Sequence, residues 1–79
     1  MKTVYIVQGF SRQGTKLISD TAIPCRNELE ALNRAERLAD KRAGVIAVAQ
    51  EYDEDSGEYG ELTVLAKYGE IPAGAIGEE

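Results

Sequence analysis

The segment from Asn27 to Gly44 constrains the fold more than any other. Leu29, Leu32, Ala35, Leu38, Ala39 and Ala43 recur three and four residues apart, which places them in one apolar stripe on a helix. Glu30, Arg34, Glu36, Arg37, Asp40, Lys41 and Arg42 fill the intervening positions. Asn27 can cap the first turn through its side-chain oxygen, and Glu30, three residues on, can reach back to the cap's amide. Acids lean toward the start while Lys41 and Arg42 close the segment, the order that the helix dipole favours. Gly44 is the expected left-handed stop.

The flanks read as strands in pairs. Thr3–Gln8 is β-branched and aromatic, and Ser11–Gly14 reads as a turn. Lys16–Ile23 reads as a weaker edge strand closed by Pro24, which cannot donate to a ladder. After the helix, Val45–Tyr52 is an apolar run that becomes polar, as a central strand would. Asp53–Glu58 is a hairpin loop in which Gly57 supplies a positive φ. Tyr59–Lys67 is the returning strand, and Tyr52 and Tyr59 are placed to pair across the hairpin. The predicted fold is therefore α+β: a ββαββ domain over residues 1–70, with a four-stranded sheet and one helix packed on one face. Residues 71–79 read as a partly mobile tail, in which Ile71 and Pro72 dock.

One helix covers one face of a sheet. If Val4, Ile6, Val45 and Ala47 lie under it, then Tyr5, Val7, Ile46 and Val48 point the other way. An apolar patch on an open sheet face marks a contact surface. The candidate interface is Tyr5, Val7, Ile46 and Val48 on the sheet, with Arg34, Arg37 and Lys41 on the exposed side of the helix. The opposing expectation is that the C-terminal segment folds back over the patch.

Size and charge narrow the classes. At 79 residues the chain is one domain. No apolar run approaches a membrane span, and Met1-Lys2 leads into a mixed strand rather than a secretory leader. Cys25 is alone, so a cytoplasmic setting is expected. Residues 1–50 carry eight Lys/Arg against five acids, while residues 51–79 carry one lysine against nine acids. The chain is thus basic in its first part and acidic in its last. A solvated acidic loop and tail explain this simply. The sharper explanation is a basic helix face and an acidic hairpin that address different partners, or each other in a neighbouring copy.

Catalytic and cofactor chemistry finds little purchase. Histidine is absent, which removes the commonest general base and metal ligand. Cys25 precedes the helix, where a dipole can acidify a thiol, but it reads as a small half-buried turn residue. Gly9-Phe10-Ser11-Arg12-Gln13-Gly14-Thr15-Lys16 falls short of a phosphate-binding loop: its last two residues are exchanged, and a strand follows where a helix N-terminus is needed. Asp53, Asp55 and Gly57 suggest a calcium loop, yet Glu58 and Val64 occupy the positions that need glycine and a bidentate glutamate. Glu51, Asp53, Glu58 and Glu61 have nothing to desolvate one of them and split their pKa values. No catalytic residue, metal or cofactor is expected. Nucleic acid could use Tyr5 and Phe10 as stacking platforms with Lys2, Arg12, Lys16, Arg34, Arg37, Lys41 and Arg42 as cations, but an acidic chain of pI ≈ 4.7 opposes it.

The stretch RAERLADKRAGVIAVAQEYDEDSGEYGE, from Arg34 to Glu61, and YGEIP, from Tyr68 to Pro72, carry a resemblance. They resemble a family of small uncharacterised bacterial proteins, in which such a helix runs into a G-V-[VI]-A strand, an acidic loop and a final GE-[IV]-P. The resemblance implies a short bacterial protein with no assigned activity and brings no functional residues. The expected function is that of a noncatalytic interaction or regulatory module that binds a protein partner or itself, as a homodimer through the open face or an edge strand. The alternatives are a nucleic-acid binder, and an acidic mimic that uses Asp53–Glu58 to occupy a basic partner surface.

Overall fold

A computed structural model describes residues 2–72. Its organising element is a long strand, β1 (Lys2–Gln13), rich in the β-branched and aromatic residues that suit a pleated surface. Gly14 and Thr15 turn the chain into β2 (Lys16–Ser19), with Gln13 opposite Lys16. The positive φ of Gly14 (64°), with none at Thr15, is the signature of a tight hairpin turn that starts on glycine. A short β3 (Ile23–Cys25) also pairs with β1, further along the same edge. Then come α1 (Glu28–Ala39), β4 (Gly44–Tyr52) and β5 (Tyr59–Gly69). Every pairing is antiparallel, and the order across the sheet is β2-β1-β4-β5 with β3 beside β2 on the β1 edge.

The sheet has five strands where the sequence predicts four, because Lys16–Ile23 is interrupted. Phe10 lies opposite Ser19 but Val7 lies opposite Ile23, so this edge carries one residue more than β1 does. Asp20 sits in the break and holds it. Its amide donates to the Gly9 carbonyl (2.9 Å), and its carboxylate accepts from Ser11 Oγ (3.0 Å) and from Arg42 Nε (2.8 Å). Gln8 Nε2 donates to the Asp20 carbonyl. The interruption is therefore a satisfied bulge, tied to the segment that follows the helix.

The helix forms where its cap predicts. Asn27 Oδ1 accepts from the Glu30 amide (2.8 Å). Glu30 does not return to the cap's own amide; it accepts from the amide and guanidinium of Arg26, one residue earlier (3.4 Å each). The helix ends at Ala39, with Asp40 as its cap, rather than at a left-handed Gly44. The predicted stripe holds at Ala35, which is buried, and at Leu38 and Ala39, which pack on the core; Ala31 is buried as well, while Leu29, expected in the stripe, is 67% exposed. The alanines bring the helix close, and Val7, Ala31, Ala35, Val45 and Ala47 form the sealed core. Tyr5, Ile23, Cys25, Leu38, Ala39, Leu65, Ala66 and Tyr68 pack around it.

Gly44 serves the sheet instead. Gly69, its partner on β5, has φ 68° and turns the chain back so that the Glu70 backbone lies where a Gly44 side chain would stand. The Glu70 amide donates to the Ala43 carbonyl (3.0 Å), and Glu70 pairs with Arg12. Ile71 and Pro72 follow, half-buried, as expected; the rest of the tail lies outside the described residues.

Candidate functional site

Register decides which side chains share a face. β1 and β4 pair so that Val7 meets Ala47, Ile6 meets Val48 and Gly9 meets Val45. Val7, Val45 and Ala47 are in the core with the helix, and Leu38 and Arg42 lie over Gly9. Tyr5 and Val7 therefore face the helix, which corrects the expectation that they point away. The register pairs odd residues with odd, so Val4 and Ile6 cannot share a face with Val45 and Ala47. Val4 and Ile6 occupy the reverse face. Ile46 and Val48 occupy it too, as expected, although Ile46 is buried and Val48 half-buried.

The reverse face is apolar across three strands. Ile6, Val48 and Val64 form one lateral row, and Val4, Gln50 and Leu62 form the next. All are half-buried, and α1, the one described helix, packs on the other side. Toward Gly44 the face is closed: Phe10, directly opposite Gly44, and Ile46 are both about 2% exposed, beside the crossing Glu70 backbone. Toward the hairpin it is bounded by Tyr52 and Tyr59, whose ring centroids lie 5.3 Å apart at 46°, and by Lys2, whose ammonium pairs with Glu54 (3.1 Å). Val4, Ile6, Leu62 and Val64 are the surface residues that sequence reasoning missed. The available signal was Gly9: of the two faces of β1, the one with a glycine admits a close helix, and the one with Phe10 does not.

Both sheet edges are blunted. Along β5 two register shifts, one at Leu65 and one near Gly60 and Glu61, break the ladder. The β4 side chains serve the second: Gln50 Nε2 donates to the Gly60 carbonyl (3.0 Å), and Glu51 accepts from the Glu61 amide (3.3 Å). The other edge carries the Asp20 bulge and Pro24. Bulges and edge proline oppose strand addition.

The aromatics proposed for base stacking are not presented for it: Tyr5 packs under the helix and Phe10 is buried. Arg34, Arg37 and Lys41 are exposed and, among the described residues, form no ion pair. The acidic hairpin is built from its own backbone. The Asp53 amide donates to the Glu58 carbonyl (2.9 Å), the Asp53 carbonyl accepts from the Gly57 amide (2.7 Å), and Asp53 Oδ1 accepts from the Asp55 amide (3.0 Å). The phosphate-loop-like residues Gly9–Lys16 lie along β1, its turn and the start of β2, with no helix N-terminus following.

Burial pushes the Cys25 thiol above its ordinary range, with the Glu30 carboxylate adding and Arg34 opposing. The thiol is thus neutral at pH 7 and has no nucleophilic activation. Alkylation by iodoacetamide at neutral pH is expected to run no faster than that of a free model thiol. A rate about tenfold faster contradicts this placement.

No protein-family model matches the chain, and no curated protein or solved structure matches it either. No helix among the described residues is long and apolar enough to cross a membrane.

Proposed function

We propose that this chain is a noncatalytic interaction module that self-associates through the reverse face of its sheet. The carrying observation is the register-matched apolar row Ile6–Val48–Val64, flanked by Val4 and Leu62, on the side away from the only described helix. Side chains of this kind, left in water, forfeit about 25 cal/mol per Å² that stacking recovers. A second copy is the occupant that fits. The row crosses β1, β4 and the edge strand β5, and a twofold axis through it sets the same residues of two copies against each other, an arrangement that face-to-face sheet packing accommodates. The blunted edges favour face packing over strand addition, which narrows the two routes considered from sequence. The resemblance to small bacterial proteins is compatible with such a role and adds no residue to it.

Sedimentation equilibrium tests the reading. The wild-type chain is expected to be dimeric at micromolar concentration, and Val48→Lys to shift it to monomer by weakening association at least about a hundredfold, the effect of an unpaired charge in an interface core. Ile6→Thr, a milder change on the same row, is expected to weaken it in the same direction. A wild-type chain that stays monomeric at about a hundred times that concentration overturns the proposal.

A further inference from the structure

We propose that the outer flank of α1 is a second contact surface, and that its occupant is the acidic hairpin tip of another copy of this chain. The proposal goes beyond the reverse-face reading and uses different residues.

The flank has a built shape. An open groove of about 290 Å³ is lined by Asn27, Leu29, Glu30, Asn33, Arg34 and Arg37. Leu29 contributes the exposed apolar side chain. Arg12, Arg26 and Arg42 are each paired with an acid, whereas Arg34 and Arg37 form no ion pair among the described residues. Glu30, the acid in the groove, is already paired with Arg26, so the groove offers one apolar side chain, Leu29, and two uncommitted guanidiniums further along the helix.

The hairpin tip offers the converse. Tyr59 is 72% exposed, and beside it Asp55, Glu58 and Glu61 are exposed without an ion-pair partner among the described residues. Three large apolar side chains are exposed among the described residues, Ile18, Leu29 and Tyr59. Leu29 shares its groove with Arg34 and Arg37 and has Glu28 and Glu30 as sequence neighbours, whereas Tyr59 follows Glu58 and precedes Glu61 on an acidic hairpin. Tyrosine and arginine are the side chains that most often anchor protein contacts, and a carboxylate beside the one can pair with the guanidinium of the other. No ion pair joins the tip to α1 within one copy. Because the contact joins two different surfaces, a single contact leaves one groove and one tip free, and further copies can add head to tail.

The test is made on the Val48→Lys chain, so that reverse-face association is absent and the two proposals fail separately. In sedimentation velocity at about 50 mM salt, the weight-average mass is expected to rise with concentration, and association to weaken about tenfold at about 500 mM. On that background Arg34→Glu with Arg37→Glu, and separately Asp55→Lys with Glu58→Lys, are each expected to remain monomeric. Mixed together they are expected to associate, because the unaltered acidic tip of the first meets the unaltered groove of the second, and the basic tip of the second meets the acidic groove of the first. Melting curves confirm that each variant is folded. A Val48→Lys chain that is monomeric at low salt, association indifferent to salt, or a mixture that fails to associate each overturn the proposal; the first outcome leaves the groove to an acidic segment of a different protein.

Discussion

Phe10→Ala is expected to lower the unfolding free energy by about 3–4 kcal/mol, the usual cost of deleting a buried aromatic ring. Phe10 is the largest fully enclosed side chain. It lies on the reverse face opposite Gly44, where no side chain of β4 can fill the space it leaves. A domain of this size has about 4–10 kcal/mol in total. The variant should therefore lose a large share of its stability, with the urea midpoint lowered by about 2–4 M for a denaturant slope near 1–1.5 kcal/mol per M. Phe10→Leu keeps most of the volume and is expected to cost less than about 1.5 kcal/mol. A loss below about 1 kcal/mol for Phe10→Ala shows that the ring is not packed there.

Gly44→Ala is expected to be nearly as damaging, at about 3 kcal/mol or more, although it adds a single methyl group. A Cβ at Gly44 overlaps the Glu70 carbonyl, a backbone atom held by the Gly69 turn and by the Glu70–Ala43 hydrogen bond (3.0 Å). The added methyl cannot be accommodated by rotating a side chain; either the strand or the crossing segment must move. Gly57→Ala is the matched control. Gly57 has φ 77° with open space around its Cβ position, so only the left-handed backbone penalty of about 1–2 kcal/mol applies. Thermal melting separates them, since 1 kcal/mol corresponds to about 4–8 °C in a domain this small. Equal melting temperatures for the two variants contradict the crossing.

Most of the architecture was legible because it rests on local patterns. The Asn27 cap, the Tyr52–Tyr59 hairpin and the positive φ of Gly57 each follow from a few neighbouring residues, and each is found. What was not legible depends on pairing between distant segments. Both faces of β1 are apolar, so Val4/Ile6 and Tyr5/Val7 compete for the helix on equal terms within the strand. The register with β4 breaks the tie, together with Gly9, which clears the way for Leu38 and Arg42. Spacing alone places Leu29 in the buried stripe. The sheet instead takes Ala31, beside the expected Ala35, because small residues let the helix settle onto Val7, Val45 and Ala47. The division of Lys16–Ile23 into two strands turns on Asp20, whose ion pair with Arg42 spans the helix and has no local signature. The candidate interface shifts for the same reason as β1 does. Val48 stays on the open face, Ile46 is sealed near its end, and Val4, Ile6, Leu62 and Val64 replace Tyr5 and Val7.

Methyl NOE spectroscopy on a mixture of isotopically labelled and unlabelled chains tests the facing of β1 and the proposed contact together. Cross-peaks from Val7 to Ala31 and Ala35 should arise within one copy, while those from Ile6, Val48 and Val64 should cross between labelled and unlabelled copies. Cross-peaks from Ile6 to the helix alanines, with none between copies, would contradict the account.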